Sequence, residues 1–182
     1  MIIDLPTSLT VDGESKPINT DFRDVITILN AINDIDVPER EKNVILLSNL
    51  YVDDFTTFID IDDAIKQAIW FIDWGKEYNS INENSPRLMD WEQDYNLIIS
   101  AVNNKLSITD VRNLKYMHWW TFLGYFSERG ECQFSTVTGI RDKLNKGRKL
   151  EKYEREILRE NREQIILKNK NNEEFENELW GD

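Results

Sequence analysis

At 182 residues, with one cysteine and a net charge of −12, the chain is long enough for a sizeable core and cannot be an internal disulfide scaffold. Residues 1–100 carry twenty acids against seven bases, and residues 101–182 fourteen against fifteen. That acidity argues against non-specific nucleic-acid binding and for solubility and basic partners.

Residues 1–18 are expected to form a hairpin about Asp12-Gly13, a pair that tolerates the left-handed backbone of a two-residue turn. No basic leader with an apolar core opens the sequence, so no signal peptide is expected. Asn19 or Thr20 is expected to cap a helix through Phe22, Val25, Ile26 and Leu29, with Asp21 and Asp24 at its positive end. Pro38 restarts the chain in the first turn of a second helix through Val44, Leu47 and Tyr51. Asp60 opens a third, with an apolar stripe of Ile61, Ile65, Ala68, Ile69 and Ile72 and Gly75 as a left-handed stop. Residues 79–86 read as a polar loop.

Leu88, Trp91, Tyr95, Ile98 and Val102 recur every three or four residues, which predicts a helix starting directly after Pro86. Asp90, Gln93, Asp94 and Asn104 fall on its opposite, solvated face. From Leu114 to Phe126, nine of thirteen residues are apolar or aromatic, which predicts a helix surrounded by other elements. Lys115, His118 and Thr121 are its only polar stripe. This run is far short of the ~20 residues of a membrane span. Phe134, Val137, Ile140 or Arg141, and Leu144 mark a further helix. The chain then turns basic from Arg141 to Lys152, and Glu151, Glu154 and Glu156 favour pairing along one helix over a nucleic-acid patch.

The expected fold class is mainly α. A compact multi-helix domain covers residues 1–146, with its small N-terminal β-hairpin at 1–18, and a charged C-terminal helical arm with an acidic tail covers 147–182. Whether that arm docks into a partner or packs on its own domain is open at this level.

Candidate chemistry is sparse. A calcium loop counted from Asp60 needs Gly at its sixth position and Glu at its twelfth, where this chain has Ile65 and Phe71. Asp90, Glu92, Asp94 and His118 are too poor in His and Cys for a zinc site. No nucleophile elbow or phosphate-binding loop occurs. The expectation is therefore no catalysis, no cofactor and no metal. Trp70, Trp74, Trp91, Trp119 and Trp120 are mostly assigned to the core. The candidate partner-binding residues are Tyr153, Ile157, Phe175, Leu179 and Trp180 on the arm and tail.

With those residues placed, the chain resembles a small family encoded by siphophages and prophages of Gram-positive bacteria, named for its gene-product number, fifteen. The resemblance rests on Leu5-Pro6, Val11-Asp12-Gly13 and Ile18-Asn19-Thr20-Asp21-Phe22-Arg23. To these are added the box Asp90-Trp91-Glu92-Gln93-Asp94 and the box His118-Trp119-Trp120-Thr121-Phe122. Trp91 stands where family members carry Phe, and Thr121 where they carry Lys. The resemblance implies a role in tail morphogenesis, because such genes lie near the gene for the tape-measure protein. The expected function is a non-enzymatic tail-assembly chaperone or assembly factor that keeps that protein soluble. Implied partners are the tape-measure protein and other tail proteins, with a homo-oligomer acting in the host bacterial cytoplasm, off both membrane and nucleic acid. Two rivals accompany that expectation: an acidic DNA mimic that inhibits a host protein, and a structural tail component.

Overall fold

The computed structural model describes residues 5–76 and 86–168. Among them are one two-stranded antiparallel sheet and eight α-helices, the mainly helical class expected. No helix of the described residues is long and apolar enough to cross a membrane. The chain divides into two units, Met1–Ser85 with Ile99–Arg129, and Pro86–Ile98 with Gly130–Asp182.

In the first unit, β1 (Ser8–Val11) and β2 (Glu14–Pro17) pair with Val11 opposite Glu14 and Ser8 opposite Pro17. Asp12 and Gly13 both have positive φ, 56° and 76°, the geometry that matches the right-handed twist of the strands. Helices α1 (Phe22–Asn33), α2 (Glu39–Leu50) and α3 (Ile61–Ile72) follow. The cap of α1 is Asp21, which accepts the Arg23 N–H, rather than Asn19 or Thr20. Thr20 is buried, and its hydroxyl shares a hydrogen bond with the Tyr116 hydroxyl at 2.7 Å. Asp60 caps α3 as expected, accepting from the Asp63 N–H at 2.9 Å. The buried face of α3 is Ala64, Ala68, Phe71 and Ile72, a rotation away from the Ile61–Ile65–Ile69 stripe. Gly75 is left-handed at φ 72°, and a Cβ there would meet the Trp120 ring at 2.9 Å.

The predicted aromatic helix is shorter than its apolar run. Residues 111–113 form a 3-10 turn, 114–117 are non-helical, and α5 covers Trp119–Ser127. Long-range bonds hold the segment before it open. Phe22 N–H donates to the Met117 carbonyl at 3.0 Å, and Trp119 N–H to the Thr20 carbonyl at 2.7 Å. Lys115 and His118 are therefore no part of a polar helical stripe.

The helix predicted from Pro86 begins only at Tyr95, as α4 (Tyr95–Leu106). Its first four residues belong to the second unit and the rest to the first. The second unit also contains α6 (Gln133–Asn145), α7 (Lys152–Glu160) and α8 (Arg162–Ile165). Phe134, Val137, Ile140 and Arg141 form the buried face of α6. As far as Lys168 the C-terminal segment packs back within its own unit: Leu150, Ile165 and Leu167 are buried, and α8 packs on α6 and α7. Residues 79–85 of the expected polar loop, and 169–182 of the acidic tail, lie outside the described residues.

Candidate functional site

The two sequence boxes fall in different units, and each fastens chain segments that are remote in sequence. His118 is the N-cap of α5: its Nδ1 accepts the Trp120 N–H at 3.0 Å, while Nε2 lies 2.9 Å from the Pro6 carbonyl. A ring protonated at Nε2 alone satisfies both contacts. The two indoles that follow cap another helix. Trp119 Nε1 donates to the Ile72 carbonyl at 2.9 Å and Trp120 Nε1 to the Phe71 carbonyl at 2.8 Å. These are among the carbonyls that the end of α3 leaves without intrahelical partners. Phe122 stacks on Phe22 of α1 with ring centres 4.6 Å apart, and Trp119 stacks on Phe122 at 5.8 Å.

Asp21 and Arg23 complete this region. Asp21 takes the Arg23 guanidinium at 2.7 and 2.8 Å and the Met117 N–H at 3.3 Å. Arg23 also donates to the carbonyls of Arg112, Leu114 and Lys115. Burial alone raises the Asp21 carboxyl, but the Arg23 and Met117 donors outweigh it and hold the group below the usual carboxylate range.

In the second unit Asp94 is 0% exposed and Arg141 4%, which overturns the expectation of a solvated carboxylate face. The 90–94 segment is not helical in the way its spacing suggested. Asp90 Oδ1 accepts the N–H groups of Glu92 and Gln93 at 2.9 and 2.7 Å, and Asp94 Oδ2 accepts the Asp90 N–H at 2.9 Å. Arg141 grips Asp94 with Nη1 at 2.6 Å and Nη2 at 2.9 Å. Its other donors go to the carbonyls of Leu88 (2.9 Å), Ile165 (2.7 Å) and Gln164 (2.7 Å). All five guanidinium N–H groups thus have an acceptor.

Gln93 works on the same segment. Its Nε2 lies 3.0, 3.1 and 2.8 Å from the carbonyls of Glu163, Gln164 and Ile166, and its Oε1 accepts the Lys168 N–H at 3.1 Å. The start of the basic run pairs mainly between elements rather than along one helix: Arg141 with Asp94, and Lys143 with buried Glu154 at 2.7 Å. Lys146 with Asp142 is the intrahelical exception. Burial raises the Glu154 carboxyl, but the Lys143 ammonium and the Glu151 N–H bring it below the ordinary range.

The other box and aromatic residues are less enclosed. Asp90, Trp91, Gln93, Trp70 and Trp120 are half-buried, Glu92 is exposed, and Trp74 is 39% exposed. Among the proposed partner contacts, Tyr153 is exposed and Ile157 half-buried, while Phe175, Leu179 and Trp180 lie outside the described residues. Beside Arg141, a hollow lined in part by Arg87, Leu144 and Ile166 has a volume of about 10 Å³, the size of one water. Among the described residues no group of three or more His, Cys, Asp or Glu side chains is placed to hold a metal ion. The box residues stand out in the sequence but their pairing does not, since Asp94 and Arg141 are 47 positions apart.

A family model described as bacteriophage Gp15 protein matches residues 2–167. Comparison with curated proteins and with solved structures gives no match.

Proposed function

The chain belongs to the bacteriophage Gp15 family, and on that premise we propose that it is a non-catalytic tail-assembly chaperone. In this reading it keeps the tape-measure protein in solution in the host cytoplasm until tail subunits assemble around it. The observation that carries the reading is the family match across residues 2–167. Two physical features support it. The polar groups of Asp94, Arg141 and His118 are taken up by backbone and ion-pair contacts, a fastening role rather than an acid–base one. The first unit carries nineteen acids against ten bases, a charge suited to a basic polypeptide partner.

Co-expression is the test. The tape-measure protein should become more soluble with this chain and co-purify with it. Equal solubility without co-purification overturns the proposal. Mass spectrometry of purified virions separates the structural reading: a chaperone is absent from the mature particle, a tail component present.

A further inference from the structure

Phe58 and Ile59 are neighbours with opposite surroundings. Phe58 is buried, edge-on to Tyr51 at 5.1 Å, with the Lys16 ammonium 5.5 Å from its ring centre. Ile59 is 90% exposed, yet its backbone is tied down. Asp12, at the hairpin turn, accepts the Ile59 N–H on one carboxylate oxygen at 2.8 Å and the Asp60 N–H on the other at 2.9 Å. At the opposite end of the same segment, Val52 is 61% exposed and donates its N–H to the Pro17 carbonyl at 3.0 Å. The hairpin is thus bonded to residues 51–60 at both ends, and together they form one edge of the first unit. Across residues 12–16 and 51–63 that edge carries seven carboxylates and a single base, Lys16. Lys16 is itself paired with Glu14 at 2.6 Å.

We propose that this edge docks a basic amphipathic helix of another polypeptide. Ile59 and Val52 enter the helix's apolar face, and Asp53, Asp54, Asp60 and Asp62 meet its lysines and arginines. An anchor whose backbone is already fixed loses little freedom on binding. Charge complementarity selects the occupant: a second copy of this acidic edge, or a nucleic acid, meets like charge. The recognition mode is an apolar helix face laid on exposed aliphatic side chains, with charge setting partner choice. The proposal deepens the chaperone reading and rests on it, naming the chemistry of the partner segment and the face that takes it.

The test uses the full chain and two synthetic helix-forming peptides of identical pattern, one Leu/Lys and one Leu/Glu, read by fluorescence anisotropy. The Leu/Lys peptide should bind, more weakly as salt rises, and the Leu/Glu peptide should not. Ile59→Ser should weaken binding by at least about tenfold. The Asp53→Asn, Asp62→Asn double variant should weaken it and flatten the salt dependence. Ile35→Ser, at an aliphatic side chain 73% exposed outside this edge, should bind as wild type, and circular dichroism checks that each variant is folded. Equal binding of the two peptides, no binding of either, or wild-type affinity in folded Ile59→Ser overturns the proposal. Co-expressed tape-measure protein is read in parallel. If wild type and every variant hold it equally, this edge falls and the chaperone reading stands. If wild type does not hold it but binds the Leu/Lys peptide through Ile59, the chaperone reading falls and the edge stands.

Discussion

The His118–Phe122 box and the Asp90–Asp94 box perform the same task with different physics. In the first unit, Trp119 and Trp120 close the end of α3 with two neutral N–H donors, and Phe122 adds a stacked ring on Phe22. Each of those contacts is worth roughly 1 kcal/mol net beyond the area it buries. In the second unit a fully enclosed carboxylate and guanidinium bind three chain segments at once. A buried charge pair adds little net stability over an apolar replacement, yet losing one partner strands the other in a medium that cannot solvate it. The neutral fastening should therefore weaken in small steps, and the charged one should fail all at once.

The largest expected effect follows from that contrast. Asp94→Ala leaves the Arg141 guanidinium buried without its counter-charge and should destabilise by about 3–5 kcal/mol. Urea unfolding measures the loss, and hydrogen exchange should show it concentrated in α6 and α8. A double Asp94→Leu, Arg141→Met variant should recover part of the loss, because no lone charge remains. Gly75→Ala breaks the first unit more mildly. The left-handed backbone alone costs roughly 1–2 kcal/mol, and contact with the Trp120 ring adds to it. Thermal denaturation checks the sum.

Acid should act on both units together. Asp21 and Glu154 titrate lower in the fold than in the unfolded chain. Their stabilisation is complete above the ordinary carboxyl range and drains away as pH falls through the lower folded values. Asp24, raised by burial and by Asp21 beside it, has the opposite sign. Asp21→Asn combined with Glu154→Gln should flatten the acid limb of a plot of melting temperature against pH. The smallest effect belongs to Tyr153→Ser. This exposed side chain should change stability by no more than about 0.5 kcal/mol.

What could be read from the sequence was local. Asp12-Gly13 marked its turn because few residue pairs accept two positive φ values, and Asp60 marked its cap because the acceptor lies three residues from its donor. The misread helix starts share one cause. The apolar spacing around Leu88–Tyr95 and Leu114–Met117 suits a helix. The first stretch, however, is turned by Asp90 and Asp94 bonding to nearby N–H groups, and the second is drawn out by Asp21, Phe22 and Arg23. Hydrogen bonds outweighed periodicity at both places, from side chains to nearby backbone in the first and across some ninety positions in the second. The partners of Asp94, Trp119 and Trp120 lie 47 to 49 positions away, and spacing within one helix carries no trace of such a pairing. The basic run misled for the same reason, because Arg141 looks like its neighbours until its acceptors are known.

Those acceptors make position 141 unusually intolerant. Lysine would keep the positive charge, but its three protons radiate from a single nitrogen, whereas the groups they would have to reach are spread around a flat fan. At least one main-chain oxygen would then lose its donor. The substitution that looks gentlest in an alignment of charges is therefore expected to be harmful here, while neighbouring Arg148 and Lys149, both facing solvent, can exchange freely.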